Sequence, residues 1–227
     1  MRQRLIYILA AVAAILLVWN FYKIFLVLPD EANQGAIYRI IYIHLPSIFT
    51  GMLGFFIGLV ASGMYLATGN LKYDSFAAAV TEVALVFATI VFPTGMIWGR
   101  ISWGIWWAWD ARITSMLVCW LIYAGYLMLR RAIEEPTQRA RLSAVMSIFG
   151  CVDSLIVWKS IEWWRTQHPG PVLTIRGGGG MAPGMQEPIY WNLLAFLCIA
   201  AILVMIRMRQ ESTSREIDAL RRMAHAY

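Results

Sequence analysis

The sequence predicts an all-α, polytopic integral membrane protein with six transmembrane helices and a Trp-rich amphipathic segment on its outer face. Of the 227 residues, 60% are hydrophobic and only 14% are charged, whereas a soluble domain is about a quarter charged. Six apolar runs approach the roughly 20 residues that a helix needs to cross a bilayer. Five of the eleven Trp fall within residues 98–112, and this stretch also contains charged residues. These observations exclude an ordinary soluble domain.

Each predicted span is an apolar run bounded by a polar, charged or proline-containing turn. The spans cover about residues 5–28, 45–67, 76–97, 113–129, 142–158 and 189–206. With their loops they form one membrane domain, residues 1–209, and residues 210–227 are predicted to form a charged cytoplasmic tail.

The first span follows a short basic lead and ends at Pro29. The second span follows His44, and Pro46 fits its first turn because the missing N–H has no helical partner there. The same span contains three small residues at a spacing that allows close helix contact. These are Gly51, Gly54 and Gly58.

Two later spans contain a single acidic residue each. Glu82 lies within the third span, and Asp153 lies near the end of the fifth. The longest connection, residues 159–188, joins the fifth span to the sixth and contains four consecutive glycines, Gly177–Gly180. Such a run does not hold one conformation, so we expect part of this loop to be mobile.

The distribution of Lys and Arg predicts the orientation. Six spans place both termini on one side, and that side holds twelve basic residues against seven on the other. Because basic residues accumulate on the cytoplasmic side, both termini are predicted to be cytoplasmic. The Trp-rich segment then lies on the outer face.

Residues 98–112 are predicted to lie along the membrane surface, because Trp is stable where one side of its ring is apolar and the other is wet. If the segment is helical, Trp103, Trp106, Trp107 and Asp110 share one face. This pattern has two interpretations. One is an aromatic belt that anchors a loop, and the other is a flat platform for a ligand.

Two of the three His are predicted to flank this segment. His44 lies in the first outer loop and His168 in the third, whereas His225 lies on the opposite side. A single such His is commonly an interfacial polar residue, but neutral imidazole is also a ligand for iron, copper and zinc. No third His, Cys or acidic cluster lies beside the pair, which argues against tetrahedral zinc.

Two imidazoles beside a flat aromatic surface suit a haem, whose porphyrin already occupies four positions on the iron. Arginines in the outer segments are candidates to pair with its carboxylates. They are Arg39, Arg100, Arg112 and Arg176. The alternative for these arginines is contact with lipid headgroups or with solvent.

The stretch from Trp103 to Thr114 closely resembles the signature W-G-x-W-W-x-W-D-x-R-[LI]-T of the "WWD" family of haem-handling membrane proteins. Residues 42–47 and 162–168, and the six-span length, most resemble the haem exporter protein C (CcmC) family of cytochrome c maturation. The resemblance covers roughly residues 5–206.

This resemblance implies a function in c-type cytochrome biogenesis. His44 and His168 are implied as axial ligands of a non-covalent haem b, which the protein presents to the periplasmic haem chaperone CcmE. A platform that also docks the chaperone is implied for Trp103, Trp106, Trp107, Trp109 and Asp110. Arg39, Arg100 and Arg112 are implied to hold the haem carboxylates or to release the chaperone.

The resemblance also implies a location and partners. The location is the bacterial inner membrane, with the haem site on the periplasmic face. The partners are the ABC transporter subunits CcmA and CcmB and the small membrane protein CcmD. No Walker loop is present, so ATP hydrolysis is expected in a partner, and this chain is expected to transfer haem rather than catalyse a reaction.

Two other functions remain open. A cytochrome c synthase would attach haem directly to apocytochrome on the same platform, although such relatives are larger and carry His within their spans. A transporter or channel subunit would use Glu82 and Asp153 along a path, since acidic residues within spans are frequently functional. The structural alternative is that each acid bonds to a neighbouring helix.

Overall fold

The computed structural model describes residues 2–170, 172–173, 181–182 and 184–224. Its long helices are α1 Arg2–Tyr22, α2 Ile41–Thr68, α3 Leu71–Trp103, α4 Ala111–Ala132, α5 Pro136–Trp163 and α6 Glu187–Ala224. A π-helical turn, Lys23–Val27, extends α1, and a 3-10 turn, Ala36–Ile40, leads into α2. Six helices in the described part of the chain are long and apolar enough to cross a membrane, which confirms the predicted fold class.

Several helices extend beyond the predicted spans. Helix α3 continues six residues past the predicted end at Ile97, as far as Trp103. Helix α6 runs without a break across the predicted boundary at residue 209 and continues to Ala224. Hydropathy marks where charged residues begin, whereas a helix continues until its backbone is capped. Arg176, Gly177–Gly180 and His225, which carried expectations from the sequence, lie outside the described residues.

Helices α2 and α3 pack closely along the centre of the bundle. A Cβ added to Gly54 would lie 2.7 Å from the Cβ of Ala84, and one added to Gly58 would lie 2.6 Å from the hydroxyl of Thr81. The predicted close helix contact at these glycines is therefore confirmed. On the other side of α2, Phe55 stacks on Tyr123 of α4 with ring centroids 3.7 Å apart.

The structure corrects the expected position of His44. Helix α2 begins at Ile41, so His44 lies in its first turn rather than in a loop, and Pro46 lies further inside the helix than predicted. Pro46 lacks the N–H that would bond to the carbonyl of Tyr42 four residues earlier. The side-chain amide of Asn192 on α6 donates to that carbonyl at 2.6 Å, and this bond accommodates the proline within the helix.

The acidic residues within the spans have different environments. Glu82 accepts a hydrogen bond at 2.6 Å from Nε of Arg207 on α6 and so joins α3 to α6. Asp153 is buried, and its Oδ2 has no hydrogen-bond partner among the described residues. For Glu82 the geometry matches the structural alternative, an acid that bonds to a neighbouring helix.

Candidate functional site

A cavity of about 960 Å³ lies at the end of the bundle that carries the Trp-rich segment. Its volume is at the upper end of the roughly 300–1,000 Å³ that is typical of small-molecule sites. Most of its lining side chains are apolar, and they come from α2 to α6, from the segment before α2 and from the two segments that follow α3 and α5. The polar or aromatic side chains that matter for its chemistry are His44, Trp98, Trp103, Trp106, Trp107, Arg112 and His168.

His168 reaches the cavity from the irregular segment after α5. Its Nδ1 lies 2.9 Å from the backbone carbonyl oxygen of Pro169. A carbonyl only accepts, so Nδ1 carries the proton and the lone pair of the neutral ring is on Nε2. Burial and the nearby Arg112 lower the pKa of His168, although the bond to Pro169 and the carboxylate of Asp110 act in the opposite direction. The environment therefore favours the neutral, metal-binding form.

His44 reaches the same cavity from the first turn of α2. Its Nδ1 lies 2.8 Å from the hydroxyl oxygen of Thr94 on α3. That hydroxyl donates its single proton to a backbone carbonyl of its own helix, that of Ile90 at 2.7 Å. The Thr94 oxygen therefore accepts from Nδ1–H of His44, and the Nε2 lone pair is free.

Both imidazoles are thus held in the tautomer that leaves Nε2 as a donor to a metal. In metal sites the second ring nitrogen commonly donates to a protein oxygen, which fixes the orientation of the ring. Gly95 on α3 makes room for His44, because a Cβ at this position would lie 3.3 Å from Cε1 of the imidazole. The sequence singled out both His but gave no signal for Thr94 or Gly95.

The Trp-rich segment is not one helix. Helix α3 ends at Trp103, and Gly104 follows with a φ of 78°, a left-handed conformation that favours glycine. Residues 105–110 are irregular, and α4 begins at Ala111. The face that a helical segment would have formed from Trp103 to Asp110 therefore does not exist. The aromatic surface is made by the last turns of α3 and by the irregular stretch that leads to α4.

The indoles of this segment have two environments. Trp103, Trp106 and Trp107 line the cavity, and the buried Nε1 of Trp107 has no hydrogen-bond partner among the described residues. Trp109 is 77% exposed and does not line the cavity, but its ring packs edge-on against Trp107 with centroids 5.5 Å apart. The unpaired N–H of Trp107 is a donor for an acceptor group of a ligand.

Asp110 connects the segment to the loop of His168. Its Oδ1 accepts from the backbone N–H of Ile113 at 2.8 Å and caps α4. Its Oδ2 accepts from the hydroxyl of Thr166 at 2.5 Å, and the Thr166 oxygen in turn accepts from the backbone N–H of His168 at 3.1 Å. Asp110 does not line the cavity, and its hydrogen-bonded link to His168 runs through Thr166.

The predicted arginines are not equivalent in the structure. Arg112 lines the cavity and donates to the carbonyl of Val157 on α5 at 3.2 Å. Arg100 does not line it and donates to the carbonyl of Gly104, at the turn that ends α3. Arg39 donates to the carbonyls of Ile24 and Leu28 and pairs with Asp30, and it too lies outside the lining.

The residues that face the cavity fit a haem. An apolar cavity of this size accommodates a porphyrin, two Nε2 lone pairs suit axial positions on iron, and Arg112 and the Trp107 N–H suit carboxylate oxygens. Among the described residues, no group of three or more His, Cys, Asp and Glu side chains could hold a bare metal ion.

Comparison with known proteins gives the same family. The family model "Heme exporter protein C" matches residues 1–223. The protein of that name from Bradyrhizobium diazoefficiens is 33% identical over 215 residues, which are 95% of this chain and 81% of the relative. That from Escherichia coli K12 is 34% identical over 182 residues, 80% and 73% of the two chains, and that from Paracoccus denitrificans is 33% identical over 205 residues, 90% and 83%. The chain therefore belongs to the haem exporter protein C family.

Proposed function

We propose that this protein binds haem at the outer, periplasmic face of the bacterial inner membrane and transfers it to the haem chaperone CcmE during c-type cytochrome biogenesis. The observation that carries this proposal is the pair His44 and His168. They belong to distant parts of the chain, line one apolar cavity and are held in the same tautomer. Family membership supports the same ligand.

In this proposal the haem is cargo and enters non-covalently as haem b. His44 and His168 provide the two axial nitrogens, and Arg112 and the N–H of Trp107 receive its carboxylates. The aromatic walls, including Trp103 and Trp106, exclude water from the porphyrin faces. Held by these two imidazoles, the iron would have no open site for oxygen.

The exposed indoles serve a second step. Trp106 is 55% exposed and Trp109 is 77% exposed, although Trp106 also lines the cavity. Exposed aromatic residues of this size are typical of the centre of a protein interface. We therefore assign docking of the chaperone to this edge. Covalent attachment of the haem is assigned to the chaperone, because in this proposal the two imidazoles that line the cavity are occupied as iron ligands.

The other predicted residues act on the backbone around the cavity. Arg39 and Arg100 bind carbonyls at the ends of helical segments, where cationic side chains are favourable. We propose that these two arginines stabilise the backbone around the cavity and do not contact haem directly. CcmA and CcmB would supply ATP-driven steps and CcmD would complete the complex, with both termini of this chain in the cytoplasm.

An absorption spectrum of the detergent-purified protein, oxidised and reduced, tests the haem site. We expect a low-spin b-type haem in the natural protein, and its loss or conversion to a high-spin form in His44→Ala and in His168→Ala. His225→Ala is the matched control, because the same residue type is removed where no haem contact is proposed. An unchanged spectrum in the His44→Ala/His168→Ala double variant would refute the ligand assignment.

A further inference from the structure

A second cavity, of about 130 Å³, lies at the opposite end of the bundle from the haem site. Helices α4 and α6 both pack on α3, and the lining residues of the cavity come from these three helices and from Arg139 near the start of α5. Leu127 forms part of its wall. The cavity lies where the apolar runs of α4 and α6 end and their charged residues begin, at Arg130 and Arg207.

Five guanidinium groups and two carboxylates line this cavity. The arginines are Arg130, Arg131, Arg139, Arg207 and Arg215, and the acids are Glu82 and Glu211. A third acid, Asp74, is buried beside the cavity and binds Arg130 through both carboxylate oxygens, at 2.5 and 3.0 Å.

Ion pairing accounts for only part of this charge. Arg207 pairs with Glu82 at 2.6 Å, and Arg215 pairs with Glu211 and with Asp74, each at 3.2 Å. Asp74 also pairs with Arg130. Three acids, Asp74, Glu82 and Glu211, thus pair with three arginines, Arg130, Arg207 and Arg215. Two arginines remain.

The side chains of Arg131 and Arg139 make no hydrogen bond or ion pair with a described residue, although the charge of Arg139 acts on the exposed carboxylate of Glu135 at the start of α5. The Nε atom of Arg139 is buried and unpartnered. Leaving a buried charged donor without an acceptor is costly, so this arrangement calls for an anion that the chain itself does not supply. Counted over the residues that line the cavity and Asp74, there is a surplus of two positive charges.

A phosphate group satisfies these requirements. Its oxygens match the planar fork of a guanidinium, which binds phosphate through two parallel hydrogen bonds. A volume of about 130 Å³ equals the share of about four water molecules at roughly 30 Å³ each. The space therefore admits one phosphate group but not a nucleotide.

We propose that this pocket binds the phosphate of an anionic phospholipid. The cavity lies where the apolar runs of α4 and α6 give way to charged residues, which in a spanning helix is the level expected for lipid headgroups, and Ala78 and Leu127 give it an apolar side. Basic pockets between transmembrane helices are typical of such headgroup sites. This site is independent of the haem proposal, because it shares no residue with the haem cavity.

Native mass spectrometry of the full-length protein tests the proposal, with cardiolipin, phosphatidylglycerol and phosphatidylcholine as probes. We expect the two anionic lipids to be retained more tightly than phosphatidylcholine. Arg131→Gln/Arg139→Gln should weaken their retention about 25-fold, since each basic residue near the surface contributes about fivefold, or about 1 kcal/mol. Gel filtration and the thermal transition establish that the variant is folded.

Arg4→Gln/Arg209→Gln is the matched control, because it removes two exposed basic residues outside the cavity. Equal loss of lipid in both double variants would show a general charge effect and overturn the site. Inorganic phosphate is the second probe. If it displaces the lipid at comparable concentration, the ligand is the free anion and the lipid assignment is wrong; failure to displace it supports the headgroup.

Discussion

The hydroxyl of Thr166 donates a hydrogen bond to the carboxylate of Asp110 at 2.5 Å, across 56 positions of the chain. This bond ties the loop that carries His168 to the start of α4. Asp110 belongs to the Trp-rich signature, yet it does not line the cavity, and its carboxylate accepts hydrogen bonds from Ile113 and Thr166. Its position indicates that the signature aspartate organises the site from outside.

Thr166→Val should loosen the axial position of His168. Valine has nearly the same shape, but it neither donates to Asp110 nor accepts from the backbone N–H of His168. A hydrogen bond to a charged group contributes about 1.5–3 kcal/mol, so we expect haem affinity to fall about tenfold or more. Haem titration followed by absorbance measures this. Thr166→Ser keeps the hydroxyl and should therefore retain haem affinity. Equal haem affinities of the Val and Ser variants would contradict the role of the hydroxyl.

Thr94→Val should change the tautomer of His44. Without the hydroxyl oxygen, Nδ1–H of His44 loses its acceptor, and the proton is free to move to Nε2. The loss of such an outer partner typically lowers metal affinity 10–100-fold. With only three His in the chain, ¹⁵N-His NMR of haem-free protein reports the tautomer independently of haem binding. Thr94→Ser is the control, and an Nδ1–H signal that survives in Thr94→Val would exclude this explanation.

Haem retention should persist below the ordinary pKa of an imidazole. Burial is the main cause that lowers the pKa of His168 from its ordinary value of 6.5, with Arg112 adding to it. The neutral ligand therefore remains at a pH where an exposed His is protonated. A pH titration of the haem spectrum should show release with a midpoint below 6.5, and a midpoint above 6.5 would be incompatible with this environment.

The same shift affects folding stability. The unfolded chain takes up a proton on His168 near pH 6.5, whereas the folded protein does so only at lower pH. The contribution of His168 to the free energy of unfolding is therefore complete above about pH 6.5. It decreases as the pH falls from the pKa of His168 in the unfolded chain to its lower pKa in the folded protein. Unfolding of haem-free protein at several pH values measures it, and His168→Gln should flatten that part of the profile.

Gly150→Ala should destabilise the bundle. A Cβ at this position would lie 2.6 Å from Cζ of Tyr123, and that ring is fully buried and stacked on Phe55. Overpacking of this kind costs about 1–3 kcal/mol. Gly63→Ala on α2 is the control, because nothing lies within 4 Å of its added Cβ. Thermal unfolding in detergent should separate the two variants, and equal transition temperatures would contradict the packing described for Tyr123.

Much of the architecture was accessible from the sequence. Apolar runs of the right length predicted six membrane helices, and they are present because a span in lipid must satisfy its backbone internally as a helix. The helix ends were less accessible, since hydropathy does not report capping. Gly104 ends α3 through its positive φ, and Asp110 begins α4 through its side chain, inside a segment that composition alone allowed to be helical.

The sequence by itself determined which side chains are chemically suited to a haem, because His44, His168, Arg112 and the indoles are recognisable by residue type. Only the tertiary structure decided how each is used. Thr94 orients His44 from another helix, Thr166 links His168 to Asp110, and Arg39 and Arg100 bind backbone carbonyls outside the cavity. Hydrogen bonds are short and directional, so their partners depend on how distant segments pack.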